Sequence, residues 1–149
     1  MAQKKISHPE QAYLAIVRAA EHLQWRHEQF FKEARLTQTQ YNVLRILRGA
    51  GKEGLPCREI GSRLLTRVPD VTRLLDRIEA GGLIERHRPP ENRRTVIARL
   101  TPKGKSMADG LDAPLRKLQA ELMEGVSERQ LISLAKTLNG LATQAAEPS

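Results

Sequence analysis

Arginine and threonine side chains are concentrated in two stretches in the middle of the chain, residues 66–77 and residues 93–94. A guanidinium can donate two parallel hydrogen bonds to a guanine edge, or it can bind a phosphate. A threonine can contact a thymine methyl group or a phosphate oxygen. These residue types therefore suit the recognition of double-stranded DNA. The residues that we expect to contact DNA are Thr66, Arg67, Asp70, Thr72, Arg73, Arg77, Arg93 and Arg94.

The charge of the chain supports a polyanionic partner. Its 149 residues have a formal net charge of +8, and residues 58–105 alone contain 12 Lys or Arg against 6 Asp or Glu. Long-range attraction then favours nucleic acid or an anionic membrane surface. All five aromatic residues lie within the first 41 positions, so the basic segment has no aromatic platform on which unpaired bases could stack. This distribution favours duplex DNA over single strands.

Several other classes of protein are disfavoured. No stretch approaches the roughly 18 apolar residues of a membrane span, and residues 1–5 lead into no apolar signal-peptide run, so we expect a cytoplasmic protein without a membrane partner. One cysteine and four scattered histidines predict no metal site, and we expect no cofactor. The chain has no phosphate-binding glycine loop, metalloprotease motif or nucleophile elbow, so we do not expect an enzyme.

Apolar periodicity predicts two helices before the basic stretches. The first spans residues 10–34, and the second follows an N-cap at Thr37 or Thr39 and stops at Gly49 and Gly51. A short third helix is expected over residues 58–65, after a turn at residues 54–56.

A fourth helix would present the first basic stretch. Pro69 suits its first position, and Gly81 with Gly82 would end it. Its inward face repeats at helical spacing, which leaves the arginines and threonines on the opposite face. The inward residues are Val71, Leu74, Leu75 and Ile78.

The second basic stretch falls in a predicted β-hairpin. Residues 83–88 and the β-branched run at 95–100 flank a turn rich in proline and asparagine. Thr101 and Pro102 then open a helix toward Leu122, which Pro114 should bend or interrupt. Ser127 begins a capping box that opens the last helix, along Leu131, Leu134, Leu138 and Leu141. Two short helices followed by a hairpin are the order of a winged helix-turn-helix.

The run VPDVTRLLDRIEAGGLIERHRPPENRRTVIARLTPKG, residues 68–104, closely resembles the recognition helix and wing of the MarR family. The flanking helices resemble that family's dimerisation elements, so the resemblance covers nearly the whole chain. Its most specific part is the wing, where the family has an acidic residue, any residue, an arginine, and Leu-Thr six residues later. Arg94 and Leu100-Thr101 match this pattern, whereas Asn92 replaces the acidic residue.

The resemblance implies a mainly α fold with a small β-hairpin wing, a winged helix-turn-helix with N- and C-terminal dimerisation helices. We expect one domain over residues 1–149, with 10–34 and 102–145 mainly in dimerisation and 37–101 as the DNA-binding lobe. It also implies a homodimer on a pseudo-palindromic operator, acting as a repressor and released by a small-molecule effector. The sequence leaves open a winged-helix module that coats DNA without sequence preference or binds a protein.

Individual residues also have alternative interpretations. Asp76 could pair with Arg73 or Arg77 along the helix, or with Arg94 in place of the acid that Asn92 replaces. Cys57 could be a redox switch or a half-buried filler. His22 and Trp25 could line a pocket for a small aromatic or anionic effector, or belong to the core or an interface.

Overall fold

The computed structural model describes residues 6–144, which contain six α-helices and three short strands. The chain divides into two compact units, one up to Leu115 and one from Arg116 onward. The predicted range of 1–149 and the predicted C-terminal segment ending at 145 both extend beyond the described residues. The elements are α1 (His8–Glu33), α2 (Gln38–Ala50), β1 (Leu55–Pro56), α3 (Cys57–Arg63), α4 (Val71–Ala80), β2 (Ile84–His87), β3 (Ile97–Leu100), α5 (Pro102–Leu122) and α6 (Glu128–Gln144).

Side-chain caps set where the helices begin. At α2 the Thr37 hydroxyl accepts the Gln40 N–H, and the Gln40 side chain accepts the Thr37 N–H. Ser127 and Gln130 form the same reciprocal pair before α6. The Thr101 hydroxyl accepts the Gly104 N–H at 3.0 Å at the start of α5. These caps satisfy backbone donors that have no partner inside the helix, and the three predicted starts are confirmed.

The prediction that Pro69 occupies the first position of the fourth helix is wrong. α4 begins at Val71, and Asp70 is its N-cap, with the carboxylate accepting the Arg73 N–H at 2.9 Å. An aspartate satisfies this donor and also stabilises the positive end of the helix dipole, so it competes successfully with the proline signal. Pro69 therefore lies in the turn before the helix.

The hairpin is confirmed, and it belongs to a three-stranded antiparallel sheet in the order β1-β3-β2. β2 pairs with β3 from Ile84 opposite Leu100 to His87 opposite Ile97. β1, which the sequence suggested was only a turn, pairs with the other edge of β3. Gly54 precedes β1 with a φ of +73°, and a side chain there would overlap the carbonyl oxygen of Ala98. The close approach of these two backbones requires glycine.

α5 begins against the base of the wing. The Thr101 N–H donates to the carbonyl oxygen of Leu83 at 3.1 Å, and the Thr101 hydroxyl donates to that of Gly82 at 2.7 Å. Gly104 is buried, and a Cβ atom at this position would overlap the backbone of Leu83. Pro114 lies inside α5 and does not interrupt it.

The core of the first unit is built around α2. Its fully buried Val43, Leu44 and Leu47 are joined by Phe31 from α1 and by apolar residues of the helix-turn-helix and the sheet. The latter residues are Ile60, Leu75, Ile78, Leu83, Ile84 and Ala98. Burial of this cluster supplies most of the free energy that holds α3, α4 and the wing together.

Apolar side chains of α1 and α6 are exposed. On α1, Tyr13 is 66% exposed and Val17 46%. Within the second unit, Ile132 is 64% exposed, Leu134 46% and Leu141 51%. None of the helices found in residues 6–144 combines the length and hydropathy needed to cross a bilayer.

Candidate nucleic-acid interface

α3 and α4 form a helix-turn-helix whose second helix has two distinct faces. Leu75 and Ile78 are buried, whereas Thr72, Arg73 and Arg77 are exposed. A helix with one face in the core can offer only the other face to a DNA groove. The structure therefore presents the three predicted side chains of this helix together on the surface.

A buried residue of α2, which the sequence analysis did not single out, holds the turn between α3 and α4 by a hydrogen bond. The Asn42 side chain, in α2, accepts the Leu65 N–H at 2.9 Å. Thr66 and Arg67 follow in the turn and are exposed, and Asp70 ends the turn as the cap of α4. A polar residue inside an otherwise apolar helical face was the only sequence signal of this contact.

The wing loop, residues 88–96, is held by short-range hydrogen bonds. Arg88 donates from Nη1 to the Arg93 carbonyl oxygen at 3.0 Å, and the Asn92 N–H donates to the Pro89 carbonyl oxygen at 3.0 Å. The Asn92 side chain accepts the Arg94 backbone N–H at 3.3 Å. Asn92 thus shapes the turn through the backbone, while Arg93 and Arg94 are exposed at the tip.

Both sequence-based hypotheses for Asp76 are wrong, because its partner is Arg86 in β2. The Arg86 guanidinium contacts Asp76 and also Glu79, whose Oε2 lies 2.7 Å from Nη2 and 3.1 Å from Nε. The Glu79 Oε1 accepts the Arg86 backbone N–H at 3.0 Å. This cluster joins the wing to α4, and neither its arginine nor Glu79 was among the predicted site residues.

The cluster changes the electrostatics of the site. The hydrogen bond from Arg86 lowers the pKa of Glu79, and the hydrogen bonds to Glu79 and then Asp76 raise the pKa of Arg86. Asp76 and Glu79 are thereby engaged at the wing base. Within residues 6–144, no carboxylate pairs with the side chains of Arg73, Arg77 or Arg94, which leaves these cations available to an anionic partner.

A second polar network ties α2 to α5. Arg48 binds Asp112 at 2.7 Å and Asp109 at 3.0 Å, while the Tyr41 hydroxyl donates to Asp112 at 2.8 Å. Burial, followed by this hydrogen bond, raises the pKa of Tyr41, and hydrogen bonds from Lys105 and Arg48 lower the pKa of Asp109. The network fixes the N-terminal half of α5 on α2, within the first unit.

The remaining candidates are two residues of α1 and the cysteine at the start of α3. His22 and Trp25 are exposed on α1, in a shallow recess of about 510 Å³ lined by α1 alone. Cys57 is half-buried, and burial raises the pKa of its thiol. A raised pKa disfavours the reactive thiolate, so a packing role for Cys57 is favoured over a redox switch. Across the described residues, no three His, Cys, Asp or Glu side chains gather where they could hold a metal ion.

Comparison with known proteins agrees with this architecture. The model of the MarR family matches residues 36–96, which run from just before α2 to the end of the wing loop. The HTH-type transcriptional regulator YkoM of Bacillus subtilis is 36% identical over 109 residues, covering 70% of this chain and 69% of that protein. A MarR transcription factor from Planctomyces limnophilus is 34% identical, with a TM-score of 0.72 over 89% of this chain and 96% of that one.

The chain belongs to the MarR family. The resemblance drawn from residues 68–104 is thereby confirmed, as is a mainly helical winged helix-turn-helix fold. A mutant MarR from E. coli, solved in complex with operator DNA, shares the fold at 20% identity, with a TM-score of 0.79 over 93% of this chain and 99% of that one. The protein is a MarR-family transcriptional regulator.

Proposed function

We propose that this regulator represses transcription as a homodimer on a pseudo-palindromic operator. α4 would enter the major groove, and the wing would lie against the adjacent backbone or minor groove. The observation that carries the proposal is the set of exposed arginines on α4 and the wing tip, whose side chains have no carboxylate partner in the described part of the chain. The proposed contact residues are Thr66, Arg67, Asp70, Thr72, Arg73, Arg77, Arg93 and Arg94.

The operator complex of the E. coli neighbour supports DNA as the partner, because the two chains share one fold over nearly their whole lengths. The net charge of +8 adds an attraction to phosphates that does not depend on sequence. A DNA-bound regulator would work in the cytoplasm beside the DNA that it controls. We propose repression and not activation because the resemblance to the MarR family implies a repressor.

The exposed apolar side chains support a dimer. α1 exposes Tyr13, Ile16 and Val17, and within the second unit α6 exposes Leu134 and Leu141. Apolar stripes on two separate helices are costly in water and are typical of protein interfaces. We assign residues 10–34 and 102–145 mainly to dimerisation and residues 37–101 to DNA binding, with a two-fold axis that would match a palindromic site.

Release by an effector is supported by two recesses in the first unit. The recess at His22 and Trp25 is open on one side, so it would need a second wall from the partner copy. A larger recess of about 660 Å³ lies between the end of α1, the start of α2 and the α3–α4 turn, where its lining includes Lys32, Arg35 and Thr66. Its two cations outnumber its one acidic residue, Glu28, so the recess suits a small aromatic or anionic ligand. Such a ligand would contact the turn that leads into α4.

Binding-site selection from random duplex DNA tests the proposal, followed by footprinting on the intergenic region next to the protein's own gene. A regulator enriches one palindromic sequence and protects one short window. A coating module protects the whole fragment, and a protein-binding module protects none of it. A reporter driven by the protected promoter then gives the sign, since loss of a repressor raises expression and loss of an activator lowers it.

A further inference from the structure

Arg58, in the first turn of α3, lies beside the wing and was not among the predicted DNA-contact residues. It lines a recess of about 190 Å³ together with Arg94. One wall is made by residues 56–58 and the other by residues 94–96. The recess thus brings together one arginine of the helix-turn-helix and one arginine of the wing, which are far apart in the sequence.

The backbone fixes these two walls against each other. β1 pairs with β3 through Pro56 opposite Ile97, and the Cys57 N–H donates to the Val96 carbonyl oxygen at 2.9 Å. The start of α3 is therefore fixed against the end of the wing loop, where that loop enters β3. These backbone contacts hold the segments that carry Arg58 and Arg94 close together, which lowers the entropic cost of binding one ligand with both residues.

The charges in this recess are uncompensated. Neither Arg58 nor Arg94 has an ion pair within residues 6–144, and both line the open recess. Glu59, the next residue after Arg58, pairs instead with Arg63 at 3.2 Å. Two like charges that line one recess repel each other, and a bound anion would offset that repulsion by attracting both. The recess also has a hydroxyl-bearing residue, Thr95, in its lining.

We propose that Arg58 and Arg94 bind the same phosphate of the DNA backbone, with Thr95 as a further donor. This inference rests on the proposed function and adds to it a site that joins the helix-turn-helix to the wing. A guanidinium presents a planar fork of donors that matches phosphate oxygens. Arg58 also lines the groove of about 810 Å³ that holds Thr72 of α4 and Arg88 of the wing loop, so the bound phosphate would lie next to the recognition helix.

Neutralising single phosphates of the operator tests whether the two arginines bind the same one. In the selected operator, each phosphate is replaced in turn by a neutral methylphosphonate, and affinity is measured by fluorescence anisotropy. The wild type should lose affinity at one particular phosphate in each half-site. Arg58→Ala and Arg94→Ala should each bind the unmodified operator roughly tenfold more weakly, the scale of removing one charge-assisted hydrogen bond. Each should lose part of the sensitivity to substitution at that same phosphate, and the variant without both arginines should lose all of it.

Arg63→Ala is the matched control, because Arg63 lies on the same helix and is exposed but pairs with Glu59. It should bind like the wild type and remain sensitive to the substitution. The double variant Arg58→Ala with Arg94→Ala should lose less affinity than the product of the two single losses. Circular dichroism of each variant verifies the fold.

Two results would contradict the proposal of a shared phosphate without contradicting the proposed function. Arg58→Ala could bind as Arg63→Ala does, which would make Arg58 a solvated surface residue. The two variants could instead lose sensitivity at different phosphates, with losses of affinity that multiply in the double variant. If the wild type selects no operator at all, the proposed function itself fails.

Discussion

The guanidinium of Arg86 in β2 is bound by the carboxylate of Glu79 in α4, with Nη2 and Nε 2.7 Å and 3.1 Å from Oε2. The other carboxylate oxygen accepts the Arg86 backbone N–H. The base of the wing and α4 are thus connected by three hydrogen bonds to the Glu79 side chain. A displacement of α4 would therefore be transmitted to the wing.

Glu79→Gln should lower the free energy of unfolding by about 1 kcal/mol at pH 7, because the charged acceptor becomes neutral. Binding to Arg86 lowers the pKa of Glu79 from its ordinary value of 4.5, so the contribution of the pair is present above that value. It is lost as the pH falls through the lowered pKa. Urea titrations across this range should show the two proteins converging in acid.

The control for this titration is Glu91→Gln, since Glu91 is exposed on the wing loop and has no ion pair within residues 6–144. It should follow the wild type at every pH. A constant gap between Glu79→Gln and the wild type down to the acid limit would contradict the charged pair as the cause.

Gly104→Ala should destabilise the protein by about 3 kcal/mol or more, because its Cβ atom would overlap the backbone of Leu83, which cannot move aside as a flexible side chain would. Gly110→Ala in the same helix is the matched control. Nothing lies within 4 Å of its Cβ position, so it should stabilise the helix by about 1 kcal/mol. Thermal unfolding of both variants gives the comparison, and equal shifts would rule out the close approach.

Light scattering at micromolar concentration should give twice the chain mass of 16.8 kDa. Leu134→Asp combined with Leu138→Asp should dissociate or unfold the dimer and abolish operator binding, because a carboxylate would be buried in the apolar interface. Ser133→Asp, on the same helix at an exposed position, should leave the mass unchanged. A wild-type mass of one chain would refute the dimer.

Arg73→Ala should flatten base preference at one position of each half-site, with the two positions roughly 10 base pairs apart. Arg73 is the third residue of α4, near the end of the helix that should enter deepest into the groove. A bidentate contact to guanine contributes about 1–3 kcal/mol of discrimination. Site selection with wild type and variant measures this, and identical preferences would remove Arg73 from the base-reading residues.

Arg94→Ala provides the contrast to Arg73→Ala. It should weaken binding to all sequences more evenly, and the salt slope should shrink by roughly one unit for each phosphate that the variant no longer binds. Titrations at several salt concentrations measure this slope. An unchanged salt slope with an altered base preference would reverse the roles that we assign to the helix and the wing.

The helices were predictable because their signals are local. The apolar repeat from Val71 to Ile78, the capping box at Thr37 and the cap at Thr101 each depend on residues within a few positions of one another. The same held for the β-branched run in the second arm of the wing. The start of α4 was misplaced because Pro69 and Asp70 are both local start signals, and only the hydrogen bond from the Arg73 N–H distinguishes them.

The sequence by itself determined the fold class and the family, through local motifs in residues 68–104. It also determined which arginines of α4 are exposed, since helical spacing already separates the polar face of that helix from the core. The tertiary structure alone decided which distant residues meet. It paired the two-residue β1 with β3, placed Asp76 against Arg86 and brought Arg58 to Arg94. None of these contacts has a periodic signal, because each arises when segments far apart in the chain are packed by the burial of a common core.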